Sequence, residues 1–260
     1  MTILSVNNEF NNSVKQHTAQ CFSKASGQYG QYAKVQAKTA QLLFSMLRTG
    51  NKSLLDLGSG PLLHQQTLAH YADSIVNMDL SHSMLMQGEV GDHRICADMD
   101  SLPFQSQVFD VIFSNFAIQW SQDPAKLFVE LARLCKPNGQ VVLSSVLAGS
   151  LYEINTAWQA LDGRAHVNQF LALSALKAHA IHAGFEVRAT KQACLVDEYP
   201  DAKAAIKSIK QIGANQLQTG RAKKGLMGKT AYTKVLNNYP VTDSCAPVTY
   251  QVALMELRKR

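Results

Sequence analysis

Cysteine is too scarce and scattered to build a framework. The five residues Cys21, Cys96, Cys135, Cys194 and Cys245 stand far apart, with no Cys-x-x-Cys pair and no histidine-rich spacing around them. A disulfide scaffold and a zinc ribbon are thereby excluded, and the expectation is reduced thiols and no bound metal. Long apolar runs are missing too: no stretch approaches the roughly eighteen residues of a membrane span. Residues 1–12 lack the basic-then-apolar pattern of a secretory leader and read as a frayed polar arm. A cytoplasmic protein with no membrane partner is expected. Aromatic residues make up only 8% of the chain and do not alternate with basic ones, which argues against a nucleic-acid platform.

What is present is enough apolar material for a sizeable core. With 260 residues and 46% hydrophobic content, the chain suits one large domain, 1–260. Its formal net charge of +6 suits an acidic partner.

The stretch Ser53-Leu54-Leu55-Asp56-Leu57-Gly58-Ser59-Gly60-Pro61-Leu62 reads as a buried strand that ends in a glycine turn. Two glycines let a backbone approach a ligand closely, and Pro61 suits the first position of a helix over residues 62–71. About nineteen residues on, Ile75-Val76-Asn77-Met78-Asp79-Leu80 is a second strand with an acidic end, close to the spacing at which a carboxylate meets a ribose. A third strand, Arg94-Ile95-Cys96-Ala97-Asp98, ends in another acid. A fourth, residues 108–115, ends in Ser114-Asn115. Between them Ser81 caps a short helix and Asp123-Pro124 caps one running to about Leu134. Lys136-Pro137-Asn138-Gly139 reads as a breaker before a strand at residues 140–146.

Strands that alternate with helices predict βαβ units and a parallel sheet, whose strand ends share one ligand-binding edge. Before it, residues 14–47 carry apolar residues at helical spacing in two pieces, with Gly27 and Gly30 at the break and Tyr29 and Tyr32 beside it. After it come helices around Trp158 and over residues 174–183, and a strand at 185–195. Residues 200–240 carry Lys203, Lys207, Lys210, Arg221, Lys223, Lys224, Lys229 and Lys234 with glycines at 213, 220, 225 and 228, and the last strand spans residues 247–257.

The series Asp56-Leu-Gly58-Ser-Gly60-Pro, Asp79-Leu-Ser81, Ala97-Asp98-Met99, Leu102-Pro103-Phe104, Phe109-Asp110 and Ser114-Asn115 resembles the class I S-adenosylmethionine-dependent methyltransferases. Phe116-Ala117-Ile118-Gln119-Trp120, Gly149-Ser150-Leu151-x-Glu153, Ala157-Trp158-Gln159-Ala160, Arg164-x-His166-x-Asn168-x-Phe170 and Ile209-Lys210-x-Ile212-Gly213-Ala214-Asn215 look like the biotin-pathway malonyl-[acyl-carrier protein] O-methyltransferases. The resemblance implies a Rossmann-like α/β fold: a seven-stranded sheet with an N-terminal helical cap (1–48), a cofactor-binding core (50–146) and a basic helical insertion (200–240) before the last strand.

It also implies S-adenosylmethionine as cofactor. Asp56, Gly58, Ser59 and Gly60 would cradle its amino-acid end and Asp79 its ribose. Asp98 would meet the adenine amino group, with Leu80 and Met99 on the ring faces, while Ser114 and Asn115 would line the transfer site. The acceptor implied is the free carboxylate of a malonyl thioester on an acidic acyl-carrier protein, with Arg164 gripping the carboxylate and Tyr29 closing over the methyl donor. A monomer is expected. Other small acids or a coenzyme A thioester remain alternative acceptors, and an inactive binding protein of the same fold is a further alternative. Nucleic-acid methylation is disfavoured, because Ser114-Asn115-Phe116-Ala117 lacks a Pro-Pro-Tyr/Trp motif. One departure stands out: Leu62 occupies the place of the family's usual third glycine.

Overall fold

The structure, a computed structural model, describes residues 4–5, 13–89, 93–214, 228–242 and 245–260. Expectations for the rest of the arm, for Asn215, and for Gly220, Arg221, Lys223, Lys224 and Gly225 lie outside the described residues.

In chain order the elements are β1 (Leu4–Ser5), α1 (Ser13–Ala25), α2 (Tyr29–Tyr32), α3 (Lys34–Phe44), β2 (Asn51–Leu57), α4 (Gln65–Leu68), β3 (Ala72–Asp79), α5 (His82–Leu85) and β4 (His93–Cys96). There follow β5 (Phe109–Ser114), a 3₁₀ turn (Ile118–Trp120), α6 (Pro124–Leu134), β6 (Cys135–Val146), α7 (Tyr152–Asp162) and α8 (Leu173–His182). The last are β7 (Phe185–Tyr199), α9 (Ala202–Gln211), α10 (Lys229–Asn237) and β8 (Ala246–Lys259). The sheet runs β1-β4-β3-β2-β5-β6-β8-β7. β1 to β6 pair in parallel, and β8 enters antiparallel between β6 and β7.

The seven expected strands are β2 to β8. The eighth, β1, differs from the expected frayed arm: Leu4 and Ser5 pair with Ile95 and Cys96. The sheet's outer strand therefore gains main-chain partners.

Neighbouring residues of each central strand point to opposite faces, and both faces are buried. Leu55, Ile112, Val141 and Leu143 pack with Phe128 and Leu131 of α6 and Leu176 of α8. Leu54, Val111, Phe113 and Val142 pack with Ala40, Leu43 and Phe44 of α3. This two-sided burial explains why the strands read as continuous apolar runs rather than alternating ones. A third cluster joins α7, α9 and α10 to β8 through Ile154, Ala205, Val235 and Val248.

Three local expectations differ from the structure. The region before β2 forms three helical pieces rather than two. The helix expected over 62–71 is reduced to α4, because Leu62 lies in the left-handed region (φ 57°), a conformation a helix cannot contain. The breaker at residues 136–139 lies inside β6: Asn138 takes φ 61°, and a register shift lets Cys135 pair with Phe109 ahead of the regular ladder. As expected, the side chains of Ser81 and Asp123 cap α5 and α6 by accepting bonds from the amides of Met84 and Lys126, and Asp201 likewise caps α9 by accepting from Ala204 N.

Glu153 of α7 is fully buried, and its carboxylate accepts hydrogen bonds from the backbone amide and the hydroxyl of Thr249. This ties α7 to β8. Thr249→Val removes the hydroxyl partner from a buried carboxylate and is expected to cost about 1–3 kcal/mol, read as a lower midpoint in urea unfolding.

Candidate functional site

The parallel strands deliver their carboxyl ends to one edge of the sheet, and a cavity opens there. Its floor comes from the strand ends: Leu57, Gly58 and Gly60 after β2, Met78, Asp79 and Leu80 at β3, Ala97, Asp98 and Met99 after β4, and Asn115, Phe116 and Ala117 after β5. Its opposite wall comes from α1, through Lys15, Thr18, Ala19 and Phe22, with Tyr29 of α2 beside it. An enclosed cleft where parallel strands end, apolar with a few convergent acceptors, is the usual setting of a nucleotide-like ligand.

The first turn is held by hydrogen bonds from β3. Met78 O accepts from the amides of Gly58 (2.7 Å) and Ser59 (3.0 Å). The two carboxylate oxygens of Asp79 accept from Gly60 N (2.9 Å) and Ser81 N (2.7 Å). Each oxygen keeps a further lone pair for a ligand hydroxyl. Gly58 has φ 73°, and a Cβ there would stand 2.2 Å from the Cβ of Ala117, so only glycine lets the two loops approach this closely.

On the neighbouring strand the acid after β4 belongs to a network. Lys15 Nζ donates to Asp98 Oδ2 at 2.5 Å and lies 2.6 Å from Asp100 Oδ2. Asp98 Oδ1 accepts from Asp100 N, so the residue is also a turn former. Asp100 additionally accepts from Ser121 Oγ and Gln122 N. For Lys15, burial would lower the pKa, but the bonds to Asp100 and Asp98 outweigh it and the pKa is raised; for Asp100, burial is outweighed by Lys15 and Ser121 and the pKa is lowered. Both stay charged. The pair fastens α1 across the cavity, helped by a 2.8 Å contact between Ser23 Oγ and Ser81 Oγ and by the edge-on packing of Phe22 on Trp120.

Of the residues singled out from the sequence, Gly58, Gly60, Asp79, Leu80, Asp98, Met99, Asn115 and Tyr29 are brought together on this cavity. Four are not among its lining. Ser114 is fully buried beneath it and donates to Leu57 O, tying β5 to β2 rather than facing a ligand. Asp56 and Ser59 are buried behind the turn, where Asp56 Oδ2 and Ser59 Oγ have no hydrogen-bond partner. Arg164 is exposed: α7 ends at Gly163 (φ 70°), and the backbone amide of Arg164 donates to Asp162 Oδ1.

Leu62 is buried and is likewise absent from the cavity lining, so its side chain does not crowd a ligand there. Sequence reasoning missed Lys15, Thr18, Met84 and Gln122. Lys15 carries no signal of its own, a lysine in a polar helix. Met84 lies one turn into the helix that Ser81 starts, and that was readable.

The cavity residues fit S-adenosylmethionine: Asp79 and Asp98 offer acceptors at the ends of the adjacent strands β3 and β4, the apolar side chains of Leu80, Met84 and Met99 line the cleft, and the Gly58 turn can take only a backbone without Cβ. No group of three or more metal-ligating side chains occurs among the described residues, and no helix among them is long and apolar enough to cross a membrane.

A methyltransferase domain family matches residues 55–143, the segment that carries the cavity floor. A malonyl-[acyl-carrier protein] O-methyltransferase from Salmonella typhimurium is 34% identical over 92% of this chain and 95% of its own length. Another, from Erwinia billingiae, is 35% identical over 87% and 90%. A solved structure from Bacillus halodurans, assigned as a methyltransferase, superposes with a TM-score of 0.60 at 18% identity, over 86% of this chain and 98% of that one. That last likeness is one of fold.

Two outcomes are expected from this geometry. Gly58→Ala forces a backbone shift at a positive φ and should cost about 1–3 kcal/mol, lowering the melting temperature by about 2–4 °C for each kcal/mol. Burial, reinforced by the charge of Asp79, pushes the Asp56 carboxyl up to about 8 from 3.8. The folded state then holds a proton that the unfolded state releases, so this contribution to stability is full below the unfolded value and is lost as pH rises toward the folded one. Urea unfolding between pH 5 and 8 should show stability falling with pH, by at most about 1.4 kcal/mol per unit from this group, and Asp56→Asn should flatten the slope.

Proposed function

The chain belongs to the malonyl-[acyl-carrier protein] O-methyltransferase family, and on that premise we propose that it transfers a methyl group from S-adenosylmethionine to the free carboxylate of a malonyl thioester on an acyl-carrier protein. The product is the malonyl methyl ester that enters biotin synthesis. The observation that carries the reading is the cavity at the carboxyl edge, with Asp79 and Asp98 as acceptors around a cleft closed by α1. In this reading the chain 1–260 works as one cytoplasmic, monomeric domain. Its segment 1–48 is the cap, 50–146 the cofactor core and 200–240 the basic insertion.

When bound, S-adenosylmethionine supplies a methyl group on a positively charged sulfur. Asp79 would accept from the ribose hydroxyls, and Asp98 from the adenine amino group through the lone pairs that Lys15 and Asp100 leave free. Leu80 and Met99 would cover the ring faces. Gly58 and Gly60 admit the amino-acid end, and Asn115 is held for the transfer site by its neighbours: its Nδ2 donates to Gln36 O and its Oδ1 accepts from Ser144 Oγ.

The acceptor carboxylate is already ionised at neutral pH, so no general base is needed. The protein's task is to orient the nucleophile and to keep water away from two charges that cancel in the product. Tyr29 suits that task. Burial, with the charge of Asp79, raises its pKa, so the phenol keeps its proton and acts as a hydrogen-bond donor at the cavity wall. With Arg164 exposed, the acceptor's orientation is assigned to Tyr29 and to closure of α1.

The direct test is methyl transfer from labelled S-adenosylmethionine to malonyl-carrier protein by the purified protein. Transfer is expected, with none to a carrier lacking the malonyl group; failure of transfer by folded protein overturns the assignment. Asp79→Asn should raise the Michaelis constant for S-adenosylmethionine about tenfold or more, the worth of a charge-assisted hydrogen bond, with a smaller change for the acceptor.

A further inference from the structure

Helix α9 carries a feature that the cavity does not use. Ala202, Ala205, Ser208 and Ile209 face inward, which leaves Lys203, Lys207 and Lys210 exposed. Their spacing of four and three residues places them in one row along the helix. The row is reachable from solvent, and no described acid pairs with it in an ion pair; nearby Asp197 is already taken by Lys38 at 3.4 Å.

The position of this row relative to the cavity is fixed by Gly213, which follows α9. A Cβ at Gly213 would stand 2.8 Å from Phe22 Cα and 3.0 Å from Cys21 O, so backbone lies directly on α1. Exposed Lys24 stands three residues along α1 from Cys21, the residue whose carbonyl Gly213 approaches, which extends the row onto α1. Phe22 on the other side of that contact is part of the cavity wall, and α9 also meets α2, which bears Tyr29. The other helix of the basic region, α10, packs on α7, and neither contributes a cavity residue. Lys229 and Lys234, though exposed, therefore belong to a different part of the surface.

We infer that Lys203, Lys207, Lys210 and Lys24 form the docking surface for the acyl-carrier protein, through a face of that partner rich in aspartate and glutamate. The inference rests on the reaction proposed above and adds where the carrier sits. The row contains no aromatic side chain on which a base could stack, so an acidic protein fits it better than single-stranded nucleic acid. Each exposed pair is worth only a few tenths of a kcal/mol, but a row of four acts together on association rate and is screened over about 8 Å at physiological salt. Docking beside α1 has a geometric purpose. A thioester arm leaving the carrier at this point meets the cavity at Phe22 and Tyr29, the wall opposite the strand ends.

The test compares full-length protein with a Lys203→Glu, Lys207→Glu, Lys210→Glu variant and a Lys229→Glu, Lys234→Glu control. Methyl transfer is measured on malonyl-carrier protein and on malonyl-pantetheine, which has no protein surface. The α9 variant should lose about tenfold or more in kcat/KM on the carrier while staying within about twofold on malonyl-pantetheine, and the α10 control should stay within about twofold on both. Unchanged carrier turnover in the α9 variant, or equal losses on both substrates, would overturn the docking surface. Carrier binding titrated at low and high salt reads docking without any chemistry. Salt-sensitive binding that the α9 variant loses supports the surface even if wild-type protein transfers no methyl group, a result that would sink the reaction instead. Equal binding by variant and wild type refutes the surface.

Discussion

The carboxylate of Asp79 is the pin on which the site depends. One oxygen holds Gly60 N and the other Ser81 N, so a single side chain at the end of β3 fixes both the turn after β2 and the start of α5. The neighbouring carbonyl of Met78 holds Gly58 and Ser59. Without this clamp the Gly58 turn could not be kept in contact with Ala117, and the floor of the cavity would lose its shape. The clamp also has an electrostatic cost. Burial raises the pKa of Asp79, and burial together with the charge of Asp79 raises those of Asp56 and Tyr29. A bound cation in the cavity would relieve that strain, which suits a positively charged cofactor better than an anionic one.

The sequence reveals the floor far better than the wall. Asp79, Leu80, Asp98 and Met99 were legible because a parallel sheet converts chain position into spatial position: a residue that ends a strand must lie at the common edge. The same rule misplaces Ser114, since it says nothing about which face a strand-end side chain takes, and Ser114 points down to Leu57 O. Asp56 and Ser59 stay out of the cavity lining for related reasons: Asp56 lies within β2 between Asn77 and Phe113, and Ser59 turns its amide to Met78 O. Arg164 was picked for its place in a family-like run, which carries no information on exposure. The missing helix after Pro61 is a matter of one torsion, the left-handed φ of Leu62, which pattern reading cannot see.

The wall is built from tertiary contacts. Lys15 looks like any solvated lysine until α1 is laid across the strand ends and its ammonium falls between Asp98 and Asp100. Such contacts join positions more than eighty residues apart, with no local signal in either partner. They also set the order of events at the site. α1 is a separate helix whose ties to the floor run through side chains, among them the Lys15 network, the Ser23–Ser81 hydroxyl pair and the Phe22–Trp120 ring contact, whereas the floor is part of the core sheet. Of the two, α1 is the element with the smaller free energy of opening, so ligand exchange is expected to proceed through its movement.

The place of β8 has a consequence for how the molecule is made. Because β8 lies between β6 and β7 and pairs with both, β7 has no strand to rest against until residues 246–259 have left the ribosome. The parallel half that carries the cofactor floor can condense earlier, since β2 to β6 and α6 are complete by residue 146. Synthesis therefore passes through a stage in which a half-built sheet exposes the edge of β6, open to pairing with another nascent chain. Insertion of an antiparallel strand into that gap is a long-range, slow step. In a cell making this protein quickly, that interval is where chaperones would be needed, well before any question of catalysis arises.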